Sequence, residues 1–210
     1  MGCFDILLNI LVDMTIAAYD FDGTITKNDT FVGLAFYSKG CLYAVMAFLL
    51  YSPLIAASIL KLYSNSKVKQ KVFAFLFRGM SRKDFDNLCE RYCESKFNGI
   101  TRQTAYDDIK QRISNGEKVV IVSASLSNWV LPFARKMGVE DVLCTEAEFD
   151  GNDVLTGNFA TDNCYGMEKV RRLKQKYPDR QKFKLVAYGD SSGDREMLDF
   201  ADEGFNRHFQ

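Results

Sequence analysis

A single histidine, His208, in 210 residues rules out several mechanisms at once. Ser-His-Asp hydrolysis, phosphohistidine transfer and histidine-ligated zinc each need an imidazole at the chemistry, and His208 stands third from the end of the sequence. Net charge is missing as well. The 27 Lys and Arg balance 27 Asp and Glu, so the totals supply no field for a polyanion, and nucleic acid is not an expected partner. Internal repeats and low-complexity segments are absent. The six cysteines (Cys3, Cys41, Cys89, Cys93, Cys144 and Cys164) are scattered; Cys89 and Cys93, four apart on a predicted helix, make no zinc site alone. With no secretory signal in view, they read as reduced thiols in a cytoplasmic protein. The opening segment MGCFDILLNILVD carries Asp5 and Asp13 and lacks a positive n-region. Gly2 invites myristoylation, but Ile6 stands where Ser or Thr is required. The segment reads as a short packing helix or a generous translation start.

What is present suits one α/β core of ordinary size with an insertion. Four short runs rich in β-branched and aromatic residues have the length of buried strands: Thr15–Tyr19, Lys118–Ser123, Val142–Glu148 and Lys184–Tyr188. Helical patterns over Ser127–Lys136, Gly166–Lys176 and Ser192–Phe200 separate or follow them and would cover the sheet faces. Strand-then-helix order predicts a doubly wound parallel sheet, Rossmann-like, with its ligand site at the carboxyl ends of the strands. Around Gly151-Asn152 the string FDGNDVLTG predicts a β-hairpin. Residues 28–113 break the rhythm with roughly four or five helical patterns and no good strand, which predicts an all-helical domain inserted between core segments 1–27 and 114–210. Within it, Gly40–Leu60 runs 21 residues without a charge. Length alone would let it span a bilayer. Pro53 and the interspersed Ser52, Ser58 and tyrosines point instead to a pair of buried helices hinged near Pro53, with membrane-surface contact as the second reading.

The chemistry-bearing residues fall at the predicted strand ends. The first strand runs into Tyr19-Asp20-Phe21-Asp22-Gly23-Thr24, two carboxylates two residues apart and on one face of an extended chain. Gly23 permits a sharp turn that brings backbone N–H groups near an anion, with Thr24 as a further donor. The second strand ends at Ser123 in VVIVSAS, where a hydroxyl can meet a phosphate oxygen or cap a helix; for Ser125 and Ser127 the cap is the simpler reading. Lys169 lies on the first turns of a predicted helix, where its ammonium can neutralise a transferring phosphoryl group. The fourth strand runs into Gly189-Asp190-Ser191-Ser192-Gly193-Asp194, a second carboxylate pair whose hard oxygens suit Mg²⁺.

DFDGT, VVIVS, an isolated lysine and GDSSGD, in that order across almost the whole chain, resemble the four motifs of the haloacid dehalogenase (HAD) superfamily. The helical insert after the first motif resembles the type-one cap of its phosphoserine-phosphatase-like branch, and CYGMEKVRRL, SASLSNW and GDREML are similar to subfamily IB hydrolases. The resemblance implies a phosphoric monoester hydrolase in which Asp20 attacks phosphorus and Asp22 serves as acid and then base. It further implies that Mg²⁺ binds the Asp20 carboxylate, the Asp22 carbonyl and Asp190, with Asp194 direct or through water. Ser123, Lys169 and backbone N–H groups near Gly23 and Ser125 would hold the phosphoryl oxygens. Dehalogenases in the superfamily lack the second carboxylate of the first motif, and Asp22 argues against that activity; a phosphomutase keeps it and stays open.

Substrate choice falls to the insert. By resemblance, an acidic residue early in the cap and a basic residue on a later cap helix grip an amino acid. Asp29 lies at the acidic position, or simply caps a helix before Thr30-Phe31-Val32. Lys67, Lys69, Lys71 and Arg78 compete for the basic role, and Lys71 is the residue chosen. Ser123-Ala124-Ser125 replaces the family's Ser-Gly-Gly, so a small phosphorylated metabolite other than phosphoserine is compatible. The apolar run suggests, again by resemblance, a lipid phosphate taken at a membrane surface. A phosphate-sensing or scaffold module without turnover is the reading from another class, and the full set of carboxylates speaks against it.

Overall fold

The computed structural model of the protein describes residues 14–210, and its sheet is built around the strand that carries the first motif. Strands β1 (Met14–Tyr19), β2 (Lys118–Leu126), β3 (Asp141–Thr145), β6 (Phe183–Gly189) and β7 (Glu203–Asn206) form one parallel sheet in the order β3-β2-β1-β6-β7. Because side chains alternate across a strand, Ile16 and Ala18 of β1 join one core with Val120, Val122, Leu185 and Ala187. Ala17 and Tyr19 face the other core, with Ile121, Val186 and Tyr188. Both faces are buried, which is why these strands read as continuous apolar runs. The chain winds outward from β1 through β2 to β3 and then returns to β1's other side at β6. That reversal opens a crevice at the carboxyl ends of β1 and β6.

Helices α1 (Thr30–Lys39), α2 (Cys41–Leu50), α3 (Ser52–Ile59), α4 (Asn65–Phe77), α5 (Arg82–Ile100) and α6 (Gln103–Ser114) stand between β1 and β2. The core on the Tyr19 face continues without a break into them through Phe31, Leu34, Val68, Phe73, Phe85 and Tyr92. Helix α6 lies close to the sheet: its Asp108 accepts from the Tyr19 hydroxyl, and its Arg112 donates to the Tyr188 hydroxyl at 2.7 Å. Beyond β2 follow α7 (Ser127–Met137), α8 (Met167–Lys176) and α9 (Arg195–Phe200).

Three expectations change. The run Val142–Glu148 is not one strand. β3 stops at Thr145, where the Glu146 N–H is taken by Thr161 Oγ1 at 3.0 Å and its carbonyl by Ala160 N at 2.8 Å. The chain then leaves the sheet and forms β4 (Ala147–Phe149), antiparallel to β5 (Leu155–Phe159) in the hairpin that Gly151-Asn152 signalled. The last helix begins at Arg195 rather than Ser192, because Asp194 accepts from the Asp190 and Ser191 amides and holds the intervening residues in a loop. Finally, Gly40–Leu60 does fold as two helices, bent by 59°, with Pro53 in the first turn of α3, where its missing N–H costs nothing. The pair is not buried: α3 has no buried residue and α2 has only Ala44 and Ala47. Among the described residues no single helix is long and apolar enough to cross a membrane. The helix or translation start expected over residues 1–13 lies outside the described residues.

The hairpin is fastened to the insert. Leu155 exchanges backbone hydrogen bonds with Met80 and Gly79, each at 2.9 Å, and Gly157, at φ +88°, lies so close to α4 that a Cβ there would stand 2.7 Å from Ala74 Cβ. Gly157→Val combines left-handed strain with overpacking and is expected to cost about 2–4 kcal/mol. Urea unfolding measures it, and an unchanged midpoint would refute the tight packing of hairpin on helix.

Candidate active site

The β1 ladder extends one residue past its last pair, since Asp20 N–H donates to Tyr188 O at 2.9 Å. This fixes the Asp20 backbone beside the end of β6. The chain then turns over Phe21–Ile25, with Gly23 at φ +84°. Any side chain at Gly23 would run into the Asp190 carboxylate. The two acidic loops therefore touch, and glycine is what lets them.

Lys169 reaches this junction from the first turn of α8. Its Nζ donates to Asp20 Oδ1 at 2.6 Å and to Asp194 Oδ1 at 2.5 Å, with only 1% of the residue exposed. Burial alone would weaken its hold on the proton, but the two carboxylates outweigh that and raise its affinity for the proton above the ordinary lysine value. For Asp20 the balance runs the other way: burial pushes the carboxyl up to about 7, against the pull of Lys169. Asp194 is opposed by burial as well, yet Lys169 and the Ser191 amide hold it below the usual carboxylate range. Its second oxygen accepts from Asp190 N, Ser191 N and Ser191 Oγ at 2.9–3.1 Å. Both oxygens are thus engaged, so Asp194 shapes the loop and steadies Lys169.

Asp20, Asp190 and Asp194 bring carboxylate oxygens within 4.8 Å of one another. With all three ionised, one lysine leaves two negative charges uncompensated, the charge a divalent cation carries. Asp190 Oδ1 is buried without a hydrogen-bond partner, and burial followed by the Asp194 charge raises the Asp190 carboxyl. An unpartnered buried oxygen among like charges is costly unless a cation meets it. The residues present fit Mg²⁺, a hard ion that takes one or two carboxylates.

Asp22 points to a separate set of partners. Its Oδ1 accepts from Thr30 N at 2.7 Å and Thr30 Oγ1 at 2.6 Å, and its Oδ2 accepts from the Ser125 hydroxyl. Trp129 Nε1 in turn donates to Thr30 Oγ1 at 3.1 Å. The second carboxylate is therefore seated on the first residue of α1. Burial and then the neighbouring Asp29 charge raise its pKa.

A cavity of about 760 Å³ opens over these groups, lined by Asp20, Asp22, Gly23, Ser123, Lys169, Asp190 and Asp194. With Asp29, which also lines it, eight of the sequence-predicted positions thus meet in one place. Ser125 does not: it is fully buried and off the cavity wall, its N–H donates to Ser123 Oγ at 3.1 Å and its hydroxyl donates to Asp22. Lys71 is also displaced. It is exposed and off the cavity wall, while Lys69 lies on that wall, donating to Ala124 O at 3.3 Å with Nζ 5.7 Å from the Phe31 ring centre. Two residues along a helix are about 200° apart, so Lys69 and Lys71 face opposite ways. The inward stripe Val68, Val72, Phe73 was the signal that could have separated them. Asp29 combines both its readings, capping α1 through Val32 N at 3.1 Å and lining the cavity. Thr30 and Trp129 were not expected as site residues; nothing in their spacing marks them, because their link to Asp22 is made only by the fold.

The model of the haloacid dehalogenase-like hydrolases matches residues 17–199. Protein CicA of Caulobacter vibrioides is 31% identical over 196 residues, covering 93% of this chain and 86% of its own. Among solved structures, a Bordetella pertussis Tohama I protein of unknown function superposes with a TM-score of 0.79 at 18% identity, covering 92% of this chain and 88% of that one. A phosphoserine phosphatase bearing a phospho-aspartyl intermediate analogue does so with a TM-score of 0.65 at 17% identity, covering 92% and 85%. With the family's model spanning most of the sequence and the motif residues gathered at one crevice, the chain belongs to the haloacid dehalogenase-like hydrolases.

Proposed function

We propose that this hydrolase is a Mg²⁺-dependent phosphatase that cleaves a phosphomonoester through a phosphoaspartate on Asp20. The observation that carries the reading is the buried cluster of Asp20, Asp190 and Asp194 around Lys169, with Asp22 two residues beyond the nucleophile. The resemblance in fold to a phosphoserine phosphatase with a phospho-aspartyl analogue supports it.

In the first half-reaction an Asp20 oxygen bonds to phosphorus while the ester P–O bond breaks, and the leaving alkoxide takes a proton from Asp22. In the second, Asp22 takes a proton from water, the water oxygen bonds to phosphorus, and the bond from phosphorus to Asp20 breaks. Inorganic phosphate leaves, Asp20 is again a carboxylate and Asp22 is again protonated. The raised proton affinity of Asp22 suits that exchange. Ser125 can serve both states, since its hydroxyl donates to the carboxylate and accepts from the acid. Lys169 neutralises charge on the phosphoryl oxygens and Ser123 Oγ donates to one of them. Mg²⁺, held by Asp20, the Asp22 carbonyl and Asp190, would offset the repulsion between an anionic nucleophile and an anionic phosphate.

The leaving group is received by the insert. Asp29 and Lys69 supply opposite charges to the cavity, as a phosphoserine-like metabolite would require. A second reading rests on the rest of that wall: Phe31, Val32, Phe48, Ile55, Val68 and Val72 favour an amphiphilic phosphate, including a lysophosphatidate. A panel of phosphoserine, sugar phosphates and lysophosphatidates separates the two by kcat/KM.

With p-nitrophenyl phosphate and Mg²⁺ the wild type is expected to release phosphate, chelation to stop it, Asp20→Asn to fall to background, and Asp22→Asn to lose about 10²–10⁴-fold. Wild-type turnover no faster than Asp20→Asn across the panel would leave a phosphate-binding module as the better account. Lys169→Met keeps the buried stem and removes the charge, and without metal it is expected to cost about 3–5 kcal/mol. Because the variant leaves more negative charge on the cluster, Mg²⁺ should raise its melting temperature more than that of the wild type. Equal shifts in the two proteins would sink the charge-balance argument.

A further inference from the structure

The outer side of the α2–α3 pair is unlike the rest of the surface. Leu42, Leu49, Leu50, Ile59, Leu60 and Leu62 are 59–78% exposed. On α2, residues 42, 46, 49 and 50 fall at helical spacing along one face, opposite the side on which Ala44 and Ala47 are buried. The inner side is apolar too: Phe48 stacks on Phe36, and Phe48 and Ile55 line the cavity. A helix apolar all round belongs in an apolar medium, yet no described residue covers this face. Scattered exposed leucines need no explanation, whereas a contiguous group marks an interaction site.

Charge identifies the medium. From Thr30 to Lys83 the chain has no Asp or Glu and eight Lys or Arg, in a protein whose total charge is zero, so the remainder carries an acidic excess of the same size. Lys39 and Lys61 are exposed at the two ends of the pair and form no ion pair among the described residues. A second copy meeting this face with its own α2–α3 pair would set like charges against each other. An anionic bilayer instead offers hydrocarbon to the leucines and phosphate to the lysines.

We infer that the α2–α3 pair is a membrane-docking arm that inserts its leucine face into one leaflet of an anionic bilayer. The helices have 10 and 8 residues, about 15 and 12 Å at 1.5 Å per residue, against a hydrocarbon core of about 30 Å. With the 59° bend between them, they suit entry into a single leaflet. The inference goes beyond the phosphatase reading and does not need it, since docking is independent of what the site hydrolyses.

The test is co-flotation of the full-length protein with phosphatidylcholine vesicles, with and without phosphatidylglycerol. Wild type is expected to float with the anionic vesicles, at least tenfold less with the neutral ones, and to be released by salt. The pair Leu49→Ser/Leu60→Ser and the pair Lys39→Glu/Lys61→Glu should each reduce flotation tenfold or more. Hydrolysis of p-nitrophenyl phosphate should stay within twofold of wild type, which separates lost docking from lost folding and from failure of the phosphatase reading. Wild type that stays unfloated with anionic vesicles overturns the inference. So do variants that float as well as wild type, and so does a wild-type dimer that the leucine pair dissociates while no form of the protein floats.

Discussion

The buried contact of Lys169 with Asp20 and Asp194 is the constraint on which the rest of the site depends. Three carboxylates at the floor of a crevice either take up protons or need a cation among them, because desolvation and mutual repulsion both oppose their ionised forms. Lys169 supplies one positive charge from the first turn of α8, and so fixes where that helix must start relative to the ends of β1 and β6. Asp194 extends the constraint outward: by accepting from the Asp190 and Ser191 amides it shapes the loop that carries Asp190. Gly23 completes it, since only a residue without a side chain lets the Asp190 carboxylate lie against the turn after β1. Asp20, Asp190 and Lys169 are thus set by one electrostatic knot rather than by independent choices.

Much of this was legible in the sequence, for a physical reason. A parallel sheet buried on both faces leaves apolar runs that are easy to find, and places whatever follows them at one edge. Asp20, Ser123 and Asp190 could be assigned to a common site from strand ends alone. Lys169 required the resemblance, because a lysine near a helix start is usually solvated. The failures have physical reasons too. Val142–Glu148 reads as one strand because its composition is β-rich throughout, and the hydrogen bonds that turn it out at Glu146 come from Thr161 and Ala160, distant in sequence. Charge alone does not separate Lys71 from Lys69, because it does not say which way a helix faces; the apolar stripe does. Gly40–Leu60 reads as buried from its composition, and composition cannot distinguish a helix that buries its leucines from one that displays them.

The insert serves two sides. Phe31, Leu34, Val68 and Phe73 continue the hydrophobic core of the sheet, so these helices are anchored to the catalytic layer rather than tethered to it. Their inner residues bound the space in which a leaving group would sit. Their outer residues give the molecule a basic, apolar face opposite in character to its acidic remainder.

The seat of Asp22 on Thr30 has a bearing on how such a protein can diversify. The Asp22 carboxyl is held by the opening residue of the insert, and that residue is itself held by Trp129 from beyond β2. The insert is therefore not a detachable module. A chimera carrying another relative's helices would keep the surroundings of Asp22 only if a hydroxyl arrived at the same place; otherwise the proton affinity of that carboxyl would change with the exchange.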